Sequence, residues 1–240
     1  MRVAVLSDVH GNAVALEAVL EEVSSERVDL IVFGGDLTWG PLPEETLALV
    51  ADISTPTLFV RGNAERALLE PSDPPTERGR WLAERHSAAD LAFIEQFAAT
   101  VPVEIEGLGP VLFCHGSPRS DEELVTPETP ARRVREFAAG VRERVIVSAH
   151  THLQFDRRVE GIRLVNPGSV GMPYEGRPGA YWAVLGPDVS LRRTEYPLAE
   201  AAERYRASGD PLAEQMVELL LSPPTRDEVI EDAERREFAG

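Results

Sequence analysis

Several short runs in this chain are apolar at every consecutive position: Val3-Ala4-Val5-Leu6, Leu30-Ile31-Val32-Phe33, Val111-Leu112-Phe113 and Val145-Ile146-Val147. Successive side chains of a strand point to opposite faces, so a strand with no polar position must be covered on both. Between the first runs lie helical patterns. Residues 13–24 carry Leu16, Val19, Leu20 and Val23 at helical spacing behind Asn12 as N-cap, and Glu44 to Asp52 follows Pro43 as a shorter helix. Thr57-Leu58-Phe59-Val60 reads as a third strand. Buried strands alternating with helices indicate an α/β chain built around parallel strands. The 43% apolar content over 240 residues is enough to fill such a core.

Further along, the pattern changes. Residues 71–79 read as an exposed loop, and 80–99 as a helical stretch. Paired strands follow at 101–105 with 111–114, 155–159 with 162–165, and 181–185 with 189–193, separated by glycine-containing turns. A helix near 130–140 and a strand at 145–148 lie between the first two pairs. Residues 1–196 make the body of the domain, and 197–240 a charged C-terminal helical extension of it, broken at Gly209-Asp210-Pro211 and Pro223-Pro224. That extension is expected to pack through Leu212, Met216, Leu219 and Leu220, with a homodimer contact or a cover over a cleft as its functional alternatives.

Polar residues that bind metals gather just after the strands. Strand one leads to Asp8-Val9-His10, strand two to Gly35-Asp36 and strand three to Gly62-Asn63; later strands lead to Cys114-His115 and His150-Thr151-His152. Four of the five histidines lie in these positions. In open α/β sheets the loops at the carboxyl ends of strands share one edge, where ligands bind. Asp8 with His10, and His150 with His152, are spaced to point the same way in extended backbone. Carboxylate and imidazole together suit Mn²⁺, Fe²⁺ or Zn²⁺ better than Ca²⁺. Seven donors exceed one ion's needs and suit two ions bridged by a carboxylate.

This series, Asp8-x-His10, Gly35-Asp36, Gly62-Asn63, His115 and His150-x-His152, resembles the calcineurin-like metallophosphoesterase superfamily in order and spacing. Asn166-Pro167-Gly168-Ser169 is similar to a segment of its small bacterial and archaeal phosphodiesterase-type members. The resemblance implies an αββα sandwich of two mixed β-sheets flanked by helices. It implies two divalent metal ions, Mn²⁺ favoured and Fe²⁺, Zn²⁺ or Ni²⁺ as alternatives. Asp8, His10 and His152 would hold the first ion, Asn63, His115 and His150 the second, with Asp36 bridging. Asp36, Asn63 and His115 are also the expected catalytic residues, in hydrolysis of a small phosphate ester by a metal-activated hydroxide.

One departure bears on substrate. Many members carry His after the Asn, where it protonates the leaving oxygen; here the run is Gly62-Asn63-Ala64-Glu65. Loss of a general acid slows departure of a poor leaving group, so a phosphodiesterase, with a nucleotide among its possible substrates, is favoured over a monoesterase. Arg61, Arg66 or Glu65 are candidates to compensate. A broad phosphomonoesterase and a non-catalytic scaffold on the same fold are the alternatives, and the complete donor set weighs against the scaffold. A second departure is Asp36-Leu37-Thr38-Trp39 after the Gly-Asp pair, unlike the protein Ser/Thr phosphatases.

The remaining features exclude more than they assign. A net charge of −17 opposes binding to a nucleic-acid polymer. The chain has no lysine, which removes P-loop and Schiff-base chemistry. Its single cysteine, Cys114, reads as a buried strand residue and suits a reducing cytoplasm. No apolar run approaches the ~20 residues of a membrane span, so a cytoplasmic protein without membrane contact is expected. His86 reads as a surface residue of a polar helix. Trp39, Trp81 and Tyr174 are candidates to stack on a base, and Asn166 to Ser169 to hold the loops around His115 and His150.

Overall fold

A computed structural model describes residues 1–238. Its strands in chain order are β1 (Val3–Leu6), β2 (Leu30–Phe33), β3 (Thr57–Phe59), β4 (Thr100–Ile105), β5 (Gly109–Cys114), β6 (Val145–Val147), β7 (Gln154–Val159), β8 (Ile162–Pro167), β9 (Ala180–Leu185) and β10 (Val189–Thr194). The helices are α1 (Ala13–Ser25), α2 (Pro43–Ala51), α3 (Asn63–Leu69), α4 (Glu77–Ala83), α5 (Ala88–Ile94), α6 (Ala131–Phe137), α7 (Leu198–Ala207), α8 (Ala213–Leu221) and α9 (Arg226–Phe238).

The strands form two five-stranded sheets, ordered β10-β9-β1-β2-β3 and β4-β5-β6-β8-β7. The first has a parallel half and an antiparallel half, and the second a parallel centre between antiparallel edges. β1–β2–β3 run parallel beside the β9–β10 hairpin, and β5–β6–β8 run parallel between β4 and β7. The uninterrupted apolar strands have a direct reason. Val3, Val5, Leu30, Val32, Val111, Phe113, Val145 and Val147 meet between the two sheets. Ala4, Leu6, Ile31 and Phe33 point outward into a second core under α1. Cys114, Ile146 and Leu164 point outward from the other sheet into a third core with Val134 and Phe137 of α6. The layers are therefore helices, sheet, sheet, helices, the expected αββα sandwich. Each central strand is buried on both faces, at ~1.5–3 kcal/mol per large apolar side chain as an upper figure.

Most sequence-derived elements fall where expected, with three differences. Residues 80–99 are not one helix: α4 starts at Glu77, inside the segment read as loop, and Ser87 opens α5 with a reciprocal cap to Asp90. His86, in that break, is buried rather than at the surface. Its Nδ1 donates to the Leu82 carbonyl at 2.8 Å and its Nε2 accepts from the Thr38 hydroxyl at 3.0 Å. In the C-terminal segment α7 and α8 join the core under α1 through Tyr205, Met216, Val217 and Leu220, but Leu212 is 39% exposed and packs no core.

The edge at the carboxyl ends of β1 and β2 is laced by backbone bonds beyond the strands. The amides of Asp8, His10 and Gly11 donate to the carbonyls of Gly35, Asp36 and Leu37. Glu65, in the first turn of α3, locks this lacing to the third strand. Its buried carboxylate accepts from the amides of Asp36 (2.9 Å), Leu37 (2.7 Å) and Gly62 (2.7 Å). Burial and the nearby Asp36 charge push this carboxyl up to about 7. Glu65→Gln replaces one acceptor oxygen by an N–H donor facing buried amides. Thermal unfolding followed by circular dichroism at pH 8.5 should show a loss of about 2–3 kcal/mol, or about 5–10 °C in Tm. An unchanged Tm would remove Glu65 from this role.

Candidate metal centre

All seven residues singled out in the sequence reach one edge of the sandwich. Asp8 and His10 follow β1, Asp36 follows β2, Asn63 opens α3, His115 follows β5, and His150 and His152 follow β6. They do not converge by the extended backbone expected for the i, i+2 pairs. Asp8, His10, Asp36, His150 and His152 all have positive φ, between 47° and 64°. Left-handed backbone is uncommon outside glycine, though Asp, Asn and His tolerate it best, and it persists only where surroundings over-determine it. The turn at each strand end folds the side chain back over the sheet edge, and the Asp8–Gly35 and His10–Asp36 backbone bonds hold it there.

Two trios result. Asp8, His10 and His152 form one, and Asp36, His115 and His150 the other; within each, ligand atoms lie within 4.8 Å of one another. In the first, His10 Nε2 is 3.1 Å from His152 Nε2, which is 3.2 Å from Asp8 Oδ1. In the second, His115 Nε2 is 3.4 Å from Asp36 Oδ1 and 3.0 Å from Asn63 Oδ1. Asp36 lies between them, its Oδ2 being 3.6 Å from His10 Nε2.

The protonation pattern can be deduced. His10 Nδ1 is 3.2 Å from the Trp39 carbonyl, His115 Nδ1 is 2.8 Å from that of Gly34, and His152 Nδ1 is 2.6 Å from that of Met172. A carbonyl only accepts, so each Nδ1 carries a proton, and whenever the ring is neutral the lone pair of Nε2 turns into the cluster. Two lone pairs 3.1 Å apart repel unless a cation or a proton sits between them. Asp8 Oδ1, fully buried, has no hydrogen-bond partner, while Oδ2 takes the Ser7 hydroxyl. Orphaned carboxylate oxygen and inward-facing imidazoles are the donor set of a divalent cation of intermediate softness, and both trios could hold one.

Electrostatics point the same way. Burial alone would neutralise these carboxylates, yet His152 holds Asp8 below the usual carboxylate range, and His115 does the same for Asp36. Burial disfavours a charged His115, but Asp36 outweighs it and moves the imidazole up to about 10. His10 and His150 go the other way, to about 4, through burial, with the charge of His115 adding at His150. The cluster demands positive charge, and bound cations would take over the part that His115 plays.

Glycine serves the site by absence of a side chain. A Cβ on Gly35, at φ +99°, would lie 2.6 Å from His115 Nδ1, and one on Gly62 would lie 2.2 Å from Asp36 Oδ1. Asn166 ties the neighbouring loop, donating to the Ala149 carbonyl and the Thr151 hydroxyl, and the Ser169 hydroxyl donates to the Asp8 carbonyl. Glu65 and Arg66, considered as compensating groups, are otherwise engaged: Glu65 clamps backbone, and Arg66 pairs with Asp121 and Glu122. Arg61 lies beside His115 in a small adjoining pocket of about 190 Å³. Of the three aromatic candidates, Trp81 is buried under Arg85 and Trp39 packs on the core, whereas Tyr174 stacks on His152, centroids 4.5 Å apart.

Above the trios lies a cleft of about 490 Å³. Its floor is His10, Asp36, Asn63, His150 and His152, and one wall is α9. The sequence left that position for the C-terminal extension open. Only the pair Val229 and Ala233, one helical turn apart in a strongly polar helix, hints at it.

The profile of the calcineurin-like phosphoesterase superfamily domain matches residues 1–186. A solved metallophosphoesterase from Sphaerobacter thermophilus is 31% identical, with 92% of this chain and 98% of that one covered and a TM-score of 0.75. A hypothetical protein from Pyrococcus horikoshii shares the fold at 19% identity and a TM-score of 0.79, over 93% of this chain and 99% of that one. An uncharacterized protein of Methanocaldococcus jannaschii is 27% identical across 84% of this chain and 90% of its own length. By the extent of the profile match and these likenesses, over the same strands that carry the two trios, the chain belongs to the calcineurin-like phosphoesterase superfamily.

Proposed function

We propose that this chain is a two-ion phosphoester hydrolase that favours small phosphodiesters. The observation that carries the reading is Asp36 between two trios, one carboxylate oxygen toward each. Asp8, His10 and His152 would hold one divalent cation, Mn²⁺ favoured. Asn63, His115 and His150 would hold the other, with Asp36 shared. Such ions supply Lewis acidity, lowering the pKa of water and neutralising charge on phosphoryl oxygens. The chain's own part is to fix the donors before substrate arrives: carbonyls set the imidazole tautomers, and the sandwich keeps the carboxylates charged despite burial.

The diester preference rests on Ala64. Its amide donates to Asp36 Oδ1 at 2.9 Å, and its methyl stands where many relatives carry an imidazole. With no proton donor at that position, leaving groups that need little protonation react best. The −17 net charge opposes nucleic-acid polymers, and a cleft of about 490 Å³ suits a small ester.

Calorimetric titration of metal-stripped protein with Mn²⁺ should show two sites. Affinity should fall as pH drops from 8 to 6, because binding displaces the proton held on His115. A single site, or pH-independent binding, would contradict the ligand assignment. With Mn²⁺ present the protein should hydrolyse bis-p-nitrophenyl phosphate. Asp36→Asn should lower that turnover about 100- to 1000-fold; unchanged turnover would refute the shared position. Silence with Mn²⁺, Fe²⁺, Zn²⁺ and Ni²⁺ alike would favour a non-catalytic scaffold. Ala64→His should raise p-nitrophenyl phosphate turnover about 10-fold or more; no gain between pH 5 and 9 would remove this explanation of the diester preference.

A further inference from the structure

The wall that α9 contributes to the cleft is built from one helical face. Val229, Asp232, Ala233 and Arg236 line it, Val229 with Ala233 and Asp232 with Arg236 each four residues apart. The helix is fixed from two sides. At its start Arg226 pairs with both oxygens of Glu175 at 2.6 Å and donates to the Gln154 carbonyl at 3.0 Å. Further along, the Thr126 hydroxyl donates to Glu234 at 2.7 Å. Val229 and Ile230 pack on the core beneath α6, with Tyr174.

The lining of the cleft is of two kinds. Its metal-binding residues are ionic, and Leu124, Met172, Val229 and Ala233 add apolar lining. Tyr174 has one ring face on His152. Asp232 and Arg236, which also line the cleft, form an ion pair 2.6 Å apart. A phosphoryl group alone would fill little of about 490 Å³, a volume in the range that encloses drug-sized ligands.

We propose that α9 is the substrate-selecting wall, receiving a nucleoside-sized organic group of the phosphoester against Val229 and Ala233 while the phosphoryl group rests on the floor below. The inference rests on the phosphoester reading and names what that site selects. Val229 and Ala233 are specificity determinants here, and the Asp232–Arg236 pair bounds the length of ligand admitted.

The test is binding rather than turnover. Mn²⁺-loaded full-length protein is titrated with inorganic phosphate and with adenosine 5′-monophosphate, for the wild type, Ala233→Leu, which intrudes on the wall, and Val229→Ser, which strips apolar contact. The wild type should bind the nucleotide at least about 10-fold more tightly than phosphate. Both variants should cut that ratio to below about 3-fold, with thermal melts verifying that each is folded. Phosphate binding with no added affinity for the nucleotide overturns this inference alone. A ratio unmoved in whichever variant melts normally does so as well. Failure of both ligands to bind overturns the phosphoester reading and this inference with it.

Discussion

Burial of Asp8 and Asp36 is the constraint from which the rest follows. A charged carboxylate removed from water is stable only where paired charges and hydrogen bonds replace its hydration. Around these two the chain supplies imidazoles, the Ser7 hydroxyl and the Ala64 amide, and still leaves one Asp8 oxygen facing His152 with no hydrogen bond. The sandwich offers a place where such a concentration can be assembled. Two parallel sheet centres end at one edge, so short loops from distant parts of the sequence meet without a long approach. The apolar faces that bring the sheets together are themselves what excludes water from the cluster floor.

The strand ends hold a second tension. Among the described residues, five of the seven with left-handed backbone outside glycine belong to the two trios. Each such residue costs of order 1–3 kcal/mol, which the inter-sheet core and the backbone lacing must offset. Strain concentrated at the centre and absent from most of the fold is the expected signature of a rigid, preorganised site.

Much of this was legible in the residues. Apolar strands with no polar face announced two-sided burial, and polar residues at their carboxyl ends announced the edge where the site would form. The left-handed turns were hidden, because Asp-x-His in extended backbone predicts the same convergence by another route. His86 was misread because a histidine in a polar stretch looks solvated; the Thr38 hydroxyl that buries it is 48 residues away. Glu65 posed the same problem, since three backbone amides leave no mark in sequence. The position of α9 depends on Arg226 reaching Glu175, a long-range pair among many arginines and glutamates that could have paired otherwise.

Three of the histidines take their orientation from the carbonyls of Gly34, Trp39 and Met172. A carbonyl belongs to the path of the main chain, not to the identity of the residue that carries it. Side chains at positions such as 39 and 172 can therefore drift over evolutionary time without disturbing the imidazoles they orient, provided the loops keep their course. Heritable change is thereby freed in the loops around the centre while the centre itself stays fixed. A scaffold of this kind tolerates divergence of its surroundings far better than one whose ligands are oriented by carboxylates, where a single substitution would release the ring.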